Sequence, residues 1–245
     1  RMSLQAISHV RLASCKVGLA VTDRTNEPLL RFALRLNAEG LTHPALFNDE
    51  LITDAFVKAG FPVETARNYC NTGCVEMTPC ACSGMWVVSP YHNLAGMFLT
   101  TLHEHHEVKT LDEFLDHFRR LLKERIVGAN RYLGRWMLER SRNGSESMRV
   151  ACLVNDCLAR GKAVDEGGAR YNQTEPNFLG MANVVDSLAA LDALVFRSHE
   201  YTLTELDKIL SENFEGNEQL RQRIIRDLPH FGTNEKLTDS LAVRL

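Results

Sequence analysis

The sequence lacks the marks of a membrane, nucleic-acid or nucleotide-binding protein. No apolar run approaches the ~20 residues of a membrane-spanning helix, and the amino end shows no apolar stretch with a small-residue cleavage site. Basic residues are not in excess: 28 Lys and Arg stand against 31 Asp and Glu, a formal net charge of -3, so nothing suggests a nucleic-acid partner. Neither Gly-x-Gly-x-x-Gly nor Gly-x4-Gly-Lys-Ser/Thr occurs, and Gly167-Gly168 therefore reads as a turn rather than a phosphate cradle. There is no internal repeat, linker or low-complexity segment. These absences leave a cytoplasmic protein as the default, with a small molecule or another protein as partner.

What is present suits a buried core. The chain has 245 residues, 44% hydrophobic and 24% charged, enough for one large domain or two small ones. Its 7 cysteines, an odd number without a secretion signal, read as reduced thiols. Thr25-Asn26-Glu27-Pro28 opens a helical pattern closing at Gly40, and a strand-like Pro44 to Phe47 leads through Asn48-Asp49 into a helix ending at Gly60. A short helix follows Pro62, and from Cys70 to Pro90 there is no sustained period, so a long loop is expected. Helices are expected at Tyr91 to His103, from Thr110 through Ile126 or as far as Arg140, and at Asn183 to Phe196. Arg149 to Leu158 fits either helix or strand, and Asp165 to Gln173 reads as a glycine turn entering a short strand. Capping boxes stand at Thr110 to Glu113 and Thr202 to Glu205, with helices near Leu203 to Ser211 and Asn217 to Leu228. One helix-rich α/β unit is the economical reading.

Gly73-Cys74-Val75-Glu76 puts a thiol and a carboxylate two residues apart after a glycine. In an extended segment such residues share a side, roughly 6.5 to 7 Å apart, and could flank one small substrate. On spacing alone, a buried thiol and a solvated carboxylate remain the commoner outcome. Cys70, Cys74, Cys80 and Cys82 offer an alternative zinc module, but their gaps do not match paired Cys-x2-4-Cys knuckles. His103, His105 and His106 close a predicted helix, where only His103 and His106 share a face, and read as structural or surface residues. Asp186 and Asp192 are expected on a solvated helix face.

Gly73-Cys74-Val75-Glu76 resembles the finger loop of glycyl radical enzymes, the pyruvate formate-lyase-like family, whose eliminase members carry Gly-Cys-Val-Glu. Similar landmarks follow the family order: Pro44 to Glu50, Asp165 to Asn172, Ala182 to Ala190, and Pro229 to Asn234. The resemblance implies an α/β fold, part of a ten-stranded α/β barrel of the pyruvate formate-lyase type, with residues 1–245 forming the C-terminal portion of that barrel domain. It implies an anaerobic radical lyase or dehydratase acting on a small hydroxylated or amino-alcohol substrate. A thiyl radical at Cys74 would abstract hydrogen and Glu76 would act as base, with Cys70, Asn71, Trp86 and Asn172 as pocket residues on position. No metal site and no cofactor held by this chain are expected. A glycyl radical would be installed by a separate radical S-adenosylmethionine iron-sulfur activating enzyme, in a protein that is a homodimer when complete.

Three departures stand out. Val75 replaces the second of the adjacent cysteines of formate acetyltransferases, which argues against pyruvate cleavage. Val87-Val88 follows Trp86 where the diol dehydratases have His-Asp, so the groups that hold and protonate a departing hydroxyl are missing. Met77-Thr78-Pro79-Cys80 replaces the frequent Pro-Gln, which implies an altered pocket. No Arg-Val-x-Gly-Tyr-like stretch appears, so the glycyl radical domain is expected to be absent and the chain to be a fragment inactive alone. A catalytically dead binding subunit is the alternative.

Overall fold

In a computed structural model, residues 2–11, 16–72, 75–84, 89–143 and 148–245 are described. In chain order the elements are α1 (Met2–Val10), β1 (Gly18–Val21), α2 (Glu27–Ala38), β2 (Ala45–Asn48), α3 (Asp49–Lys58), α4 (Val63–Arg67), β3 (Tyr69–Thr72), β4 (Glu76–Pro79), β5 (Tyr91–Asn93) and α5 (Leu94–Glu104). There follow α6 (Leu111–Arg142), α7 (Met148–Ala151), α8 (Cys157–Arg160), β6 (Asn177–Leu179), α9 (Met181–Leu191), α10 (Leu203–Ser211), α11 (Glu218–Arg226) and α12 (Lys236–Arg244). No described helix is long and apolar enough to cross a membrane.

The chain divides into two compact units, Arg1–Val88 with Trp136–Glu175, and Ser89–Arg135 with Pro176–Leu245. In the first, β1 and β2 pair in parallel, Gly18 opposite Ala45 and Val21 opposite Asn48, with α2 as the crossover. Parallel strands require such a crossover because a tight turn cannot reverse the chain twice. Asn26 and Asn48 cap α2 and α3 by accepting the N–H of Leu29 and Leu51, satisfying donors that a helix start leaves unpaired. Leu4 and Ile7 of α1 pack with Ala33 and Leu36 of α2, and a second apolar cluster joins Ala151, Val154, Cys157, Val164 and Ala169. Gly168 is required where it stands, since a Cβ there would lie 2.3 Å from the Lys162 carbonyl oxygen.

The expected long loop after Cys70 is instead an antiparallel hairpin of β3 and β4, with Tyr69 opposite Pro79 and Thr72 opposite Glu76. At four residues each, with Cys and Thr among them, these strands are too short for a period to register. Asp165 to Gln173 also differs from expectation. A short 3₁₀ turn at Val164–Glu166 leads through Gly167 (φ 83°), and the only strand character among the described residues there is one bridge between Ser83 and Tyr171. Arg149 to Leu158 resolves into the two short helices α7 and α8.

In the second unit, Tyr91–Asn93 is strand where a helix was expected, and β5 pairs in parallel with β6. Asn93 ends the strand and caps α5 by accepting the Gly96 N–H at 3.0 Å. The core joins Leu94, Phe98 and Leu102 of α5, Phe114, Leu115 and Phe118 of α6, and Val184, Val185 and Leu188 of α9 to Leu206, Leu220 and Leu241. This apolar burial is the main source of stability for α5 and α9 to α12, because isolated helices of nine to eleven residues are marginal in water. At Thr202 both halves of the capping box form; at Thr110 the Glu113 N–H bonds the threonine, while the Glu113 carboxylate accepts from Lys109 rather than from Thr110.

Candidate active site

The β3–β4 hairpin presents two faces, because side chains alternate along each strand. Its register puts Cys70 opposite Thr78 and Thr72 opposite Glu76, so these four share one face; Asn71 and Met77 share the other. The Cys70 thiol lies 3.7 Å from the Thr78 hydroxyl. Glu76, the first residue of β4, is half-buried, and its Oε2 accepts the Val75 N–H at 3.1 Å. Thr72 carries a buried hydroxyl oxygen with no hydrogen-bond partner among the described residues. A buried polar atom left unmatched is costly, and here it lies across the register from Glu76. Tyr69 anchors the hairpin's start, donating its hydroxyl to Asp49 at 2.7 Å; burial first, then that bond, hold its pKa well above the usual tyrosine range.

The segment after Tyr171 covers the outer edge of β4. Glu175 accepts the Met77 N–H at 2.9 Å, and the Gln173 side-chain amide donates to the Met77 carbonyl at 2.9 Å and also to Glu175. Two side chains thereby replace a neighbouring strand and satisfy an edge that would otherwise be open. Burial pushes the Glu175 carboxyl above its usual range; the Met77 N–H and the Gln173 amide oppose this, and the negative charge of Glu76 adds to it. On the Met77 face, Ile52, Phe56, Phe61, Met77 and Glu175 help line a groove of about 360 Å³.

The structure thus places Cys70, Asn71 and Glu76 on one hairpin, with Asn71 on the face opposite Glu76. Asn172 is exposed, within the segment that runs beside the hairpin, its Oδ1 4.0 Å from where a Cβ on Gly84 would sit. Cys74 and Trp86 lie outside the described residues. Sequence reasoning missed Thr72, Gln173 and Glu175. A charged residue flanked by Thr174 and Pro176 was the one available signal for the last. Among the described residues, no three of the loop cysteines bring their sulfurs together as metal ligands would. Cys80 and Cys82 have raised thiol pKa values, caused first by burial, so they stay protonated.

The solvated-face expectation for Asp186 and Asp192 is corrected in the second unit. Asp186 bonds His230 Nδ1 at 3.0 Å and accepts the Phe231 N–H at 2.7 Å, and Asp192 pairs with Arg197 at 2.8 Å. Asp186 therefore joins two of the segments picked out in the sequence, Ala182 to Ala190 and Pro229 to Asn234.

Residues 1–245 match the family model described as pyruvate formate lyase-like, and the chain belongs to that family of glycyl radical enzymes. It is 28% identical over 228 residues to the "Probable dehydratase YbiW" of Escherichia coli K12, covering 84% of this chain and 28% of that one. It is 26% identical over 257 residues to the (2S)-3-sulfopropanediol dehydratase of Klebsiella oxytoca, covering 98% and 31%. The glycerol-bound B12-independent glycerol dehydratase of Clostridium butyricum superposes with a TM-score of 0.75 at 28% identity, over 98% of this chain and 32% of that chain. The fold is accordingly a helix-rich portion of the pyruvate formate-lyase-type α/β barrel. The chain spans about a third of the length of these relatives.

Proposed function

We propose that this chain supplies the cysteine loop of a glycyl radical lyase or dehydratase acting on a small hydroxylated or amino-alcohol substrate. The observation that carries the reading is Glu76 at the start of β4, on the face that holds Cys70 and Thr72, in a chain matched by the family along its whole length. A glycyl radical, installed by a separate radical S-adenosylmethionine enzyme, supplies the oxidising equivalent. Cys74 gives up its thiol hydrogen, and its thiyl radical takes a hydrogen atom from the carbon bearing the substrate hydroxyl. Glu76 accepts the hydroxyl proton from that carbon radical, and the group on the adjacent carbon leaves with its bonding pair. The product radical regains a hydrogen atom from Cys74, so the thiyl radical is regenerated. Glu76 is suited to its step because a carboxylate within hydrogen-bond reach adds about 10² to 10⁴ in rate.

In the activated full-length protein, Cys74→Ala should abolish turnover while the glycyl radical signal in electron paramagnetic resonance still forms. Glu76→Gln should lower kcat by about 100-fold or more and still exchange substrate hydrogen with Cys74. Turnover that survives Cys74→Ala would sink the reading.

A further inference from the structure

Four of the nine histidines, His103, His105, His106 and His117, fall between residues 103 and 117, and the radical chemistry above uses none of them. Two of them converge. His103 Nδ1 and His106 Nε2 lie 2.9 and 3.0 Å from the same oxygen of Asp207, and the two rings stand at 87° to one another with centroids 6.2 Å apart. One carboxylate oxygen has lone pairs for both imidazole donors, so the pair is satisfied by hydrogen bonds when no ion is bound. The same convergence also suits a shared cation: ligand atoms ~2.1 Å from a tetrahedral ion lie about 3.4 Å apart, so a shift of about half an ångström would admit one. All three ligand atoms lie within 4.8 Å of one another.

The frame is fixed by two helices. His103 sits in the last turn of α5 and His106 just beyond its end, α10 packs against α5, and Asp207 stands two residues after the closed capping box of α10. The Asp207 side chain is 18% exposed and that of His106 33%, whereas that of His103 is 77% exposed, which leaves the solvent side open to water ligands. Two imidazole nitrogens and one carboxylate oxygen suit a borderline ion such as zinc, while calcium and magnesium need more oxygen donors. The neighbouring set of His105, Glu107 and His117 is looser: the two rings contact each other at 3.8 Å and the Glu107 side chain is 70% exposed.

We propose that His103, His106 and Asp207 form a binding site for a zinc-class divalent ion that ties the end of α5 to α10. The intact protein, stripped with a chelator, is titrated with zinc against a chromophoric competitor, and with cobalt to read the d–d bands of a bound ion. The wild type should take up a site-specific equivalent and melt at a higher temperature with zinc. His103→Gln and His106→Ala should each weaken that uptake by about 100-fold, with unchanged circular dichroism showing that the fold persists. His117→Ala should leave it intact. Uptake only at millimolar zinc, uptake undiminished in the His103→Gln/His106→Ala double variant, or uptake lost in His117→Ala would each overturn the proposal.

Discussion

Glu175 holds a carboxyl group against the edge of β4, where it accepts the Met77 N–H with the charge of Glu76 nearby. Its pKa is raised in the fold, chiefly by burial, so the folded chain binds that proton more tightly than the unfolded one does. The group's contribution to stability is therefore fully present below the unfolded carboxyl value of about 4.3 and lost as pH rises through the folded value. Glu175→Gln keeps an oxygen for the Met77 N–H and removes the buried charge, but turns its own amide toward the Gln173 donor, so it should flatten the pH dependence without a clear gain at pH 7. Glu175→Leu leaves the Met77 N–H unmatched and should cost about 1–3 kcal/mol. Urea unfolding between pH 4 and 7 reads both, and a Gln variant whose stability falls with pH as steeply as the wild type's would refute the account. Glu76 stands out in the sequence because a distinctive tetrapeptide contains it. Glu175 does not, because its role is a bond to the backbone of a strand that comes 98 residues earlier.

Elements whose signals are local were the legible ones. Asn26, Asn48 and Thr202 each announce a helix by side-chain chemistry acting within three residues, and each cap forms as its spacing implies. Elements that depend on distant partners were not. Tyr91–Asn93 becomes strand only by pairing with Asn177–Leu179, and the three residues read in isolation continue the helical pattern of α5. The π-helical turn at Asp192–Arg197 after α9 was also unannounced; its Asp192–Arg197 ion pair and the Ser198 N–H bonded to Ala193 describe the turn without a sequence pattern that foretells it. The cap at Thr202 gives the testable case: its hydroxyl accepts the Glu205 N–H at 3.2 Å, and the Glu205 carboxylate accepts from the Thr202 N–H. Thr202→Ala should destabilise the second unit by about 1 kcal/mol, and Thr202→Ser should restore most of it. Equal losses in both variants would show that the methyl packing of Thr202, not its hydroxyl, matters.

At the scale of the whole molecule, two units with separate cores make a single melting temperature a poor gauge of any one contact. A local titration is the better probe, and His230 supplies one. Both of its ring nitrogens face acceptors, Nδ1 the Asp186 carboxylate at 3.0 Å and Nε2 the Ile225 carbonyl at 2.8 Å. Only the protonated ring can donate to both, so the folded state favours the imidazolium. Its pKa is raised above the usual histidine value, first by the Asp186 hydrogen bond, with burial opposing. The stability it contributes is fully present below the unfolded value of about 6.5 and is lost as pH rises through the folded one. Asp186 also holds the Phe231 N–H at 2.7 Å, so part of the tie between α9 and the Pro229 to Asn234 stretch survives deprotonation. A nuclear magnetic resonance titration should find His230 still protonated above pH 6.5, and Asp186→Asn should bring the titration down. Hydrogen exchange of the amides from residue 229 to 234 should quicken between pH 6.5 and 8 beyond the intrinsic base catalysis, and His230→Gln should remove that excess. A wild-type titration at or below 6.5 would show that burial outweighs the carboxylate, and the pH-dependent tie would fall with it.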